Sequence, residues 1–329
     1  DIALEYENIG HWERAISVLK EALRENPSNE TALHELGFCF ETIGRHEDSV
    51  EAFKAFVDLH PYSCPGWYNL GNALQRTRNF EKSIEAYEYA LVIDEDFSPA
   101  LLQKAAALTM MEDYQKALEC YRESILMDAP QANTYTLMGE CMERMEKLDE
   151  ASDYYYCALE LDGEFADAHV GLGVVAEMRQ DWPASLKCFE KAMELEPGNV
   201  EYHLLLGGIL RKIGMHDEAA LIYINALRLE PENLEVYIEA AANLQEDERF
   251  EEALTLLHQV PEASRVDLVV VSRTFISLYS LGRQQAGFAL LDAAMAHTPD
   301  ICTTLLTLFP SIEEDPSFGL RVLNAPKAQ

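Results

Sequence analysis

Residues 64–97 read CPGWYNLGNALQRTRNFEKSIEAYEYALVIDEDF, and this stretch sets a period of 34 residues that the chain keeps along almost its whole length. A small residue recurs at that spacing, as Gly37, Gly71, Ala105, Gly139, Gly173, Gly207 and Ala241. A second series follows twelve residues later with serine or alanine, and a third, four residues beyond that, with an aromatic residue or leucine. One register held through seven copies predicts a repeat architecture.

The residues between these series predict two helices in each copy. Glycines stand where a first helix has to end, because glycine adopts the left-handed conformation of a helix C-terminus without strain: Gly10, Gly44, Gly214 and Gly282. Asparagines precede the first helix, as N-caps do: Asn29, Asn199 and Asn233. Prolines on the same register end the second helix, because they cannot continue its hydrogen bonds: Pro27, Pro61, Pro197, Pro231 and Pro299. We expect the aromatic series to fill the gap between one copy and the next.

This pattern resembles the tetratricopeptide repeat family, whose motif is W-x2-L-G-x2-Y, then A-x3-F, then P. The clearest copy in this sequence carries Trp67, Leu70, Gly71, Leu74, Ser83, Tyr87 and Ala90. The resemblance implies an all-α fold, a right-handed superhelical solenoid of antiparallel helix pairs. Because one repeat cannot bury its own apolar face, the pairs have to stack.

The register predicts how the chain is divided. We expect a partial first repeat over residues 1–29, eight repeats over residues 30–301, and a C-terminal cap and tail over residues 302–329. The eight repeats start at residues 30, 64, 98, 132, 166, 200, 234 and 268. Apolar residues predict a final helix that covers the last repeat: Leu305, Leu306, Leu308, Phe309, Phe318 and Leu320.

Departures from the pattern predict local differences in packing. In the repeat that starts at residue 268, Phe275 stands where glycine is expected and Gly287 replaces serine or alanine, so we expect the two residues to touch. In the repeat that starts at residue 98, Lys104 takes a leucine position, where its aliphatic stem can lie along apolar neighbours. The run Val269–Val271 favours a strand when taken alone, but the period predicts a helix there.

The charge balance restricts the kind of partner. Lys and Arg number 25 against 58 Asp and Glu, which gives a net charge of −33. Nucleic acids and anionic membranes both require a basic face, so neither is expected as a ligand. We expect a protein or peptide partner that is basic or amphipathic.

The seven cysteines form no CxxC pair and lie scattered through the helical pattern. This distribution is typical of small apolar residues that are buried in a protein of a reducing compartment. We therefore expect a cytoplasmic protein. The chain opens at Asp1, in the middle of a repeat and without Met, so we expect its natural start to lie upstream. A removed signal peptide stays an alternative.

No catalytic motif is present: the sequence contains no GxSxG, phosphate loop, GxGxxG after a strand, or HExxH. His169 and His203 stand where other repeats have large apolar residues, so we expect them to serve packing. We therefore expect no enzymatic activity, no cofactor and no metal site.

The resemblance also implies that the first helix of each repeat lines a concave groove. The positions that it places there form the predicted partner-binding site: Phe38, Tyr68, Asn72, Leu102, Glu140, Glu143, Val170, Val174, Glu177, Glu201, Leu204, Arg211 and Ile238. This set is partly apolar and mainly acidic. An alternative is that its apolar members pack against the superhelix itself. Some family members bind acidic tails through a clamp of Lys and Asn, and only Asn72 matches that clamp.

These observations favour an interaction scaffold or adaptor that binds a peptide or a small domain. One alternative is that the chain is the regulatory repeat region of a larger enzyme. Another is a structural repeat protein that assembles with itself through apolar ends.

Overall fold

A computed structural model describes residues 2–298 and 300–324, and over this range the chain forms helices and no strand. The chain divides into two compact units, Asp1–Gly163 and Glu164–Gln329, which are described separately below. The all-α prediction is confirmed. Asp1, Pro299, the side chains of residues 320 and 322–324, and residues 325–329 lie outside the described part.

The N-terminal unit consists of helices joined by short turns. They are α1 (Ile2–Asn8), α2 (Trp12–Glu25), α3 (Glu30–Thr42), α4 (His46–Leu59), α5 (Cys64–Arg76), α6 (Phe80–Ile93), α7 (Ser98–Met110), α8 (Tyr114–Met127), α9 (Ala132–Arg144) and α10 (Leu148–Leu161). Each packs against the next along the chain, so that a helix pair stacks on the pair before it.

The C-terminal unit continues this arrangement and then departs from it. Its helices are α11 (Ala166–Met178), α12 (Trp182–Leu195), α13 (Val200–Lys212), α14 (His216–Leu229), α15 (Leu234–Glu246), α16 (Phe250–Leu257), α17 (Leu268–Ser280), α18 (Gln284–Met295), α19 (Ile301–Leu308) and α20 (Pro316–Asn324). Two short 3₁₀ helices lie at Glu262–Ser264 and Pro310–Glu314. The run Val269–Val271 is helical, as the period predicts. The division into eight repeats and a cap stays a prediction.

The helix ends follow the residues that the sequence marked. The side chains of the three predicted N-caps accept backbone hydrogen bonds: Asn29 from Ala32, Asn199 from Glu201 and Asn233 from Val236. A left-handed residue follows the first helix at nine positions spaced by 34 residues. Four are the predicted glycines, and the others carry side chains: Arg78, Glu112, Glu146, Gln180 and Glu248.

The small residue and the aromatic residue of one repeat fit against each other. A Cβ atom added to Gly71 would lie 2.4 Å from the Tyr87 ring, and one added to Gly139 would lie 2.6 Å from the Tyr155 ring. Such distances leave no room for a side chain. Tyr87 also belongs to a buried cluster with Ala100 of the following repeat. The ring therefore covers the glycine of its own repeat as well as facing the next.

The end of the C-terminal unit shows the predicted exchange of bulk. A Cβ atom on Gly287 would lie 3.3 Å from the ring of Phe275, which is fully buried. The segment that follows contributes buried residues to the cluster that contains Phe275 and Leu291: Ile301, Cys302, Leu305, Ile312 and Phe318. These residues cover the last helix pair.

Two polar residues that the sequence placed in apolar positions find partners. Lys104 Nζ lies 2.8 Å from Glu88 Oε1, so an ion pair accompanies the burial of its stem. His203 is buried, and its Nδ1 lies 2.9 Å from the backbone oxygen of Asn199. A packing role for His203 agrees with this environment.

The seven cysteines are all free, and five of them are buried. Burial raises the pKa of each thiol, and for Cys39, which also donates to the Glu7 carboxylate, to about 12. High thiol pKa values disfavour the reactive thiolate. Among the described residues, no helix is both long enough and apolar enough to span a bilayer.

Candidate partner-binding surfaces

A cavity of about 530 Å³ lies on the first-helix side of the N-terminal unit. It brings together two predicted site residues, Tyr68 and Asn72. The other lining residues are Glu41, Gln75, Arg76, Arg78, Phe80, Gln103 and Met110.

The Tyr87 hydroxyl contacts two side chains that line this cavity, Asn72 and Gln75. That oxygen lies 2.9 Å from Asn72 Oδ1 and 2.8 Å from Gln75 Oε1. A phenol has a single hydrogen, so it can donate to only one of these amides at a time. The side-chain N–H groups of Asn72 and Gln75 make no hydrogen bond with other described residues and remain available to a ligand.

The charge of this cavity differs from the sequence expectation. Arg76 and Arg78 line it and form no ion pair within the described part of the chain. Glu41 is half-buried, its Oε1 has no hydrogen-bond donor, and burial raises its pKa. Two guanidinium groups therefore face one carboxylate that holds its proton more readily than usual.

Glu143 occupies the position of Glu41 three repeats later, but it has a donor. The hydroxyl of Tyr155 donates to Glu143 Oε2 at 3.0 Å. Burial raises the pKa of Glu143, and this hydrogen bond opposes the shift. In the repeat that contains Glu41 the aromatic residue is Phe53, which has no hydroxyl. The orphaned oxygen of Glu41 thus follows from the choice of Phe over Tyr.

The remaining predicted site residues of this unit lie outside the cavity. Phe38 is 48% exposed, and its ring meets Trp12 edge-on at 6.3 Å between centroids. Leu102 lines a separate crevice of about 20 Å³. Glu140 is exposed on α9. Among the predicted residues of this unit, the cavity therefore groups Tyr68 and Asn72 alone.

A second cavity, of about 560 Å³, lies between α13 and α15 of the C-terminal unit. It brings together the predicted residues Glu201 and Leu204. The other lining residues are Asn199, Val200, Leu205, Glu230, Asn233, Glu235 and Glu239.

Four carboxylates line this cavity and make it acidic: Glu201, Glu230, Glu235 and Glu239. Two of them accept hydrogen bonds from neighbouring side chains. Asn233 donates to Glu230 at 2.7 Å, and Arg211 donates to Glu239 at 2.8 Å. Glu201 and Glu235 are exposed and form no ion pair with any described residue. The cavity therefore combines unneutralised negative charge with the apolar side chains of Leu204 and Leu205.

The other predicted residues of this unit support the cavity from outside. Val170 and Val174 are half-buried and pack on the cluster that includes Leu204. Ile238 packs on the neighbouring cluster around Tyr237. Both observations agree with the alternative that apolar groove residues also serve packing.

Two charged residues of the predicted site are held by neighbours. Arg211 bridges Glu239 and Glu246, with nitrogen–oxygen distances of 2.8 and 2.5 Å. Glu177 accepts a hydrogen bond from Lys212. Arg211 therefore links α13 to α15, and its charge is satisfied within the protein.

Several lining residues lie outside the predicted set. Glu41, Gln75 and Glu235 stand at the twelfth or second position of the repeat, as the predicted residues do. Arg76, Arg78 and Glu230 lie at helix ends or in turns, at other positions of the repeat, because the cavities extend beyond the first helices. Within the described range, no three His, Cys, Asp or Glu side chains are grouped so that they could hold a metal ion.

Comparison with family models agrees with this repeat structure. A model described as tetratricopeptide repeat matches residues 65–97, and a second with the same description matches residues 1–63 and 179–233. The chain belongs to the tetratricopeptide repeat family. Proteins of this family are generally non-catalytic and generally serve as scaffolds for protein–protein interaction.

Two solved structures show the same fold. A tetratricopeptide repeat protein from Parabacteroides merdae has a TM-score of 0.62 at 15% identity, with 74% of this chain and 96% of that chain covered. The APC/C hetero-tetramer Cut9–Hcn1 contains a chain with a TM-score of 0.54 at 17% identity, with 89% and 54% covered. A MamA crystal structure has 28% identity over 50% of this chain and 97% of that chain, with a TM-score of 0.48. No curated protein matches the sequence.

Proposed function

We propose that this tetratricopeptide repeat protein is a non-catalytic scaffold that binds a basic or amphipathic protein segment in the acidic cavity of its C-terminal unit. The observation that carries the proposal is the placement of Glu201 and Glu235, both without an ion pair among the described residues, beside Leu204 and Leu205. Such a site suits a segment in which apolar and cationic side chains alternate.

The two kinds of side chain contribute differently. Apolar anchors supply most of the affinity, because exposed ion pairs contribute only about 0–1 kcal/mol each. The carboxylates act on the rate of encounter and on the choice of partner, through the negative field of a chain with a net charge of −33. That field also disfavours nucleic acids and anionic membranes as ligands. The seven free cysteines support a reducing compartment, such as the cytoplasm.

A pair of synthetic peptides tests the proposal. One carries leucine anchors and lysines, and the matched peptide has glutamates in place of the lysines. We expect the lysine peptide to bind more tightly, and added salt to slow its association more than it speeds its dissociation. Glu201→Lys with Glu235→Lys should reduce the association rate, and Leu204→Asp should raise the dissociation rate.

A charge-matched control separates the cavity from the overall charge. Glu85 and Glu119 are exposed on the second helices of the N-terminal unit, so Glu85→Lys with Glu119→Lys changes the net charge equally. Equal effects of the two double variants would assign the rate change to the whole-protein field. Tighter binding of the glutamate peptide to the C-terminal cavity would contradict the proposal.

The cavity of the N-terminal unit favours a second type of ligand group. Arg76, Arg78 and the amide N–H groups of Asn72 and Gln75 are donors, so this cavity suits a carboxylate on the partner. We expect Arg76→Gln with Arg78→Gln to weaken binding of the glutamate peptide and to leave binding of the lysine peptide unchanged. Titration of both peptides by calorimetry measures this selectivity.

A further inference from the structure

Helix α14 carries exposed aliphatic residues where the preceding repeats carry charged or polar ones. Leu221 is 62% exposed and Ile224 is 45% exposed. The positions equivalent to Leu221 hold Glu51, Glu85, Glu119, Asp153 and Lys187. The positions equivalent to Ile224 hold Lys54, Glu88, Arg122, Tyr156 and Glu190. Isolated exposed aliphatic residues are common, so this pair alone does not establish a site.

The second observation is a cavity of about 480 Å³ that is lined by Ile224 and by other residues of α14, α15 and α16. It shares no lining residue with the acidic cavity. Its apolar lining includes Ala220, Ile224, Leu227, Tyr237, Leu244 and Leu256. Its volume lies within the range of about 300–1,000 Å³ typical of ligand sites. We call this site the α14–α16 cleft.

The same place in the N-terminal unit has a polar character. A cavity of about 470 Å³ there is lined by Arg122 and Tyr154, among others, and Arg122 Nη2 donates to the Tyr154 hydroxyl at 3.1 Å. Ile224 and Leu256 occupy the equivalent positions three repeats later. A hydrogen-bonded pair has thus been replaced by two aliphatic side chains that face open space.

Helix α16 is shorter than the second helices that precede it. Helix α14 has 14 residues and α16 has 8, so α16 is shorter by about 9 Å. Pro261 falls where α16 would continue, and proline disrupts the hydrogen bonding of the preceding turn. The chain continues after α16 through a turn and the 3₁₀ helix Glu262–Ser264.

Two arginines, Arg228 and Arg249, line the α14–α16 cleft. Arg249 is engaged, because it donates to Glu252 at 2.8 Å and to Asp217 at 2.9 Å. Arg228, one turn after Ile224, donates to Asn225 Oδ1 at 3.1 Å and has no ion pair with a described residue. The cleft thus presents an aliphatic surface followed by one guanidinium group with free donors.

We propose that the α14–α16 cleft binds a helix of a partner protein whose apolar stripe is followed, one turn later, by a carboxylate. Leu221, Ile224 and Arg228 are spaced as i, i+3 and i+7, so they share one face of α14 and match the spacing of side chains on an adjacent helix. This second binding surface is independent of the acidic cavity.

The test uses the full chain and a synthetic helical peptide of ~20 residues, long enough to form a helix in water. The peptide carries leucines on one face and a glutamate one turn after them. Two matched peptides replace the glutamate by lysine or the leucines by glutamine. Fluorescence anisotropy measures the dissociation constants.

The key variant rebuilds the polar pair of the N-terminal unit, as Ile224→Arg with Leu256→Tyr. We expect it to weaken binding of the leucine–glutamate peptide by about tenfold or more, as the loss of a central apolar contact does. Arg228→Gln should weaken it by about two- to fivefold, the range of an exposed ion pair. Leu221→Glu alters only an exposed side chain, which keeps the test valid if the double variant fails to fold.

Variants of the acidic cavity separate this proposal from the proposed function. Glu201→Lys with Glu235→Lys should leave binding of the leucine–glutamate peptide unchanged. The proposal is overturned if the peptide does not bind, if the cleft variants do not weaken its binding, or if the lysine version binds as tightly. Concentration-dependent self-association that Leu221→Glu abolishes would assign the cleft to a second copy of the chain and would also overturn it.

Discussion

The repeat that begins at Cys64 and the repeat that begins at Leu268 fill the space between their two helices in opposite ways. In the first, Gly71 on α5 leaves room for the ring of Tyr87 on α6. In the second, the ring belongs to Phe275 on α17, and the glycine is Gly287 on α18. Each repeat combines one large and one small residue, so packing requires a shared volume rather than a particular residue at either position.

The two repeats also differ in what lies beyond them. Helix α6 packs on α7, which is the first helix of the following pair. Helix α17 packs on α19, which is followed by a 3₁₀ helix and α20 and by no further helix pair within the described residues. The last repeat therefore depends on a segment outside the 34-residue pattern to bury its apolar face.

The largest effect is expected from Leu305→Ala, which removes buried apolar contact from this covering segment. Leu305 is fully buried in the cluster that contains Phe275, so the change should reduce the free energy of unfolding of the C-terminal unit by about 2–5 kcal/mol. Chemical denaturation measures it. The exposed neighbour Thr303 provides the control, because Thr303→Ala should change stability by less than about 0.5 kcal/mol. A similarly small effect of Leu305→Ala would show that the segment does not stabilise the last repeat.

The exchange of bulk is tested by Gly287→Leu. Added volume against the Phe275 ring should destabilise the unit by about 1–3 kcal/mol through overpacking. Combining it with Phe275→Ala should recover much of the loss, because the second change provides space for the new side chain. Strict additivity of the two single effects in denaturation experiments would mean that the residues do not share one volume.

The regular repeat is tested by Gly71→Ala. The new Cβ would lie 2.4 Å from the ring of Tyr87, so the ring or a helix has to shift, and we expect a loss of about 1–2 kcal/mol. Gly208 on α13 is the matched control, because nothing lies within 4 Å of its added Cβ. Gly208→Ala should instead stabilise by about 0.5–1 kcal/mol, the usual gain for alanine in a helix. A stabilising Gly71→Ala would refute the close contact.

The smallest of these effects on stability is expected from adding a hydroxyl to the aromatic residue Phe53. Phe53→Tyr should provide Glu41 with the donor that Tyr155 provides to Glu143, stabilising the N-terminal unit by about 0.5–1.5 kcal/mol at neutral pH. Tyr155→Phe is the reverse control and should raise the pKa of Glu143 further.

The pH dependence gives an independent measurement of the same change. Because the pKa of Glu41 is raised by burial, the folded chain binds its proton more tightly than the unfolded chain, and stability falls as the pH rises above the unfolded value. A hydroxyl that donates to the carboxylate lowers the folded pKa, so this fall should become smaller in the Phe53→Tyr variant. NMR titration of Glu41 with an unchanged pKa would show that the hydroxyl does not reach it.

The fold could be predicted from the sequence because its determinants are local and repeated. The N-caps, the glycines after the first helices and the exchange of Phe275 with Gly287 can all be recognised from the register alone. The short α16 also had a signal, since Pro261 falls within the predicted second helix of its repeat.

The candidate sites were less predictable because they depend on contacts between positions far apart in the chain. Arg76 lies at the end of α5 and Arg78 in the turn that follows, and both line one cavity. Glu230 lies in the turn after α14 and lines the other. Glu41 Oε1 lacks a hydrogen-bond donor because the facing residue on the paired helix is Phe53, which has no hydroxyl. Such contacts depend on how two helices are oriented toward each other, and the sequence pattern alone does not give that orientation.

The left-handed residues after the first helices are positions at which substitution by glycine should raise the thermal stability of the protein. Five of the nine carry side chains in a conformation that glycine adopts without strain, which costs roughly 1–2 kcal/mol for an ordinary residue. Residues 112 and 248 lie in different units, so gains from glycine at such sites should add. The array could thus be made more heat-resistant turn by turn while the residues lining its acidic cavity and the α14–α16 cleft stay untouched.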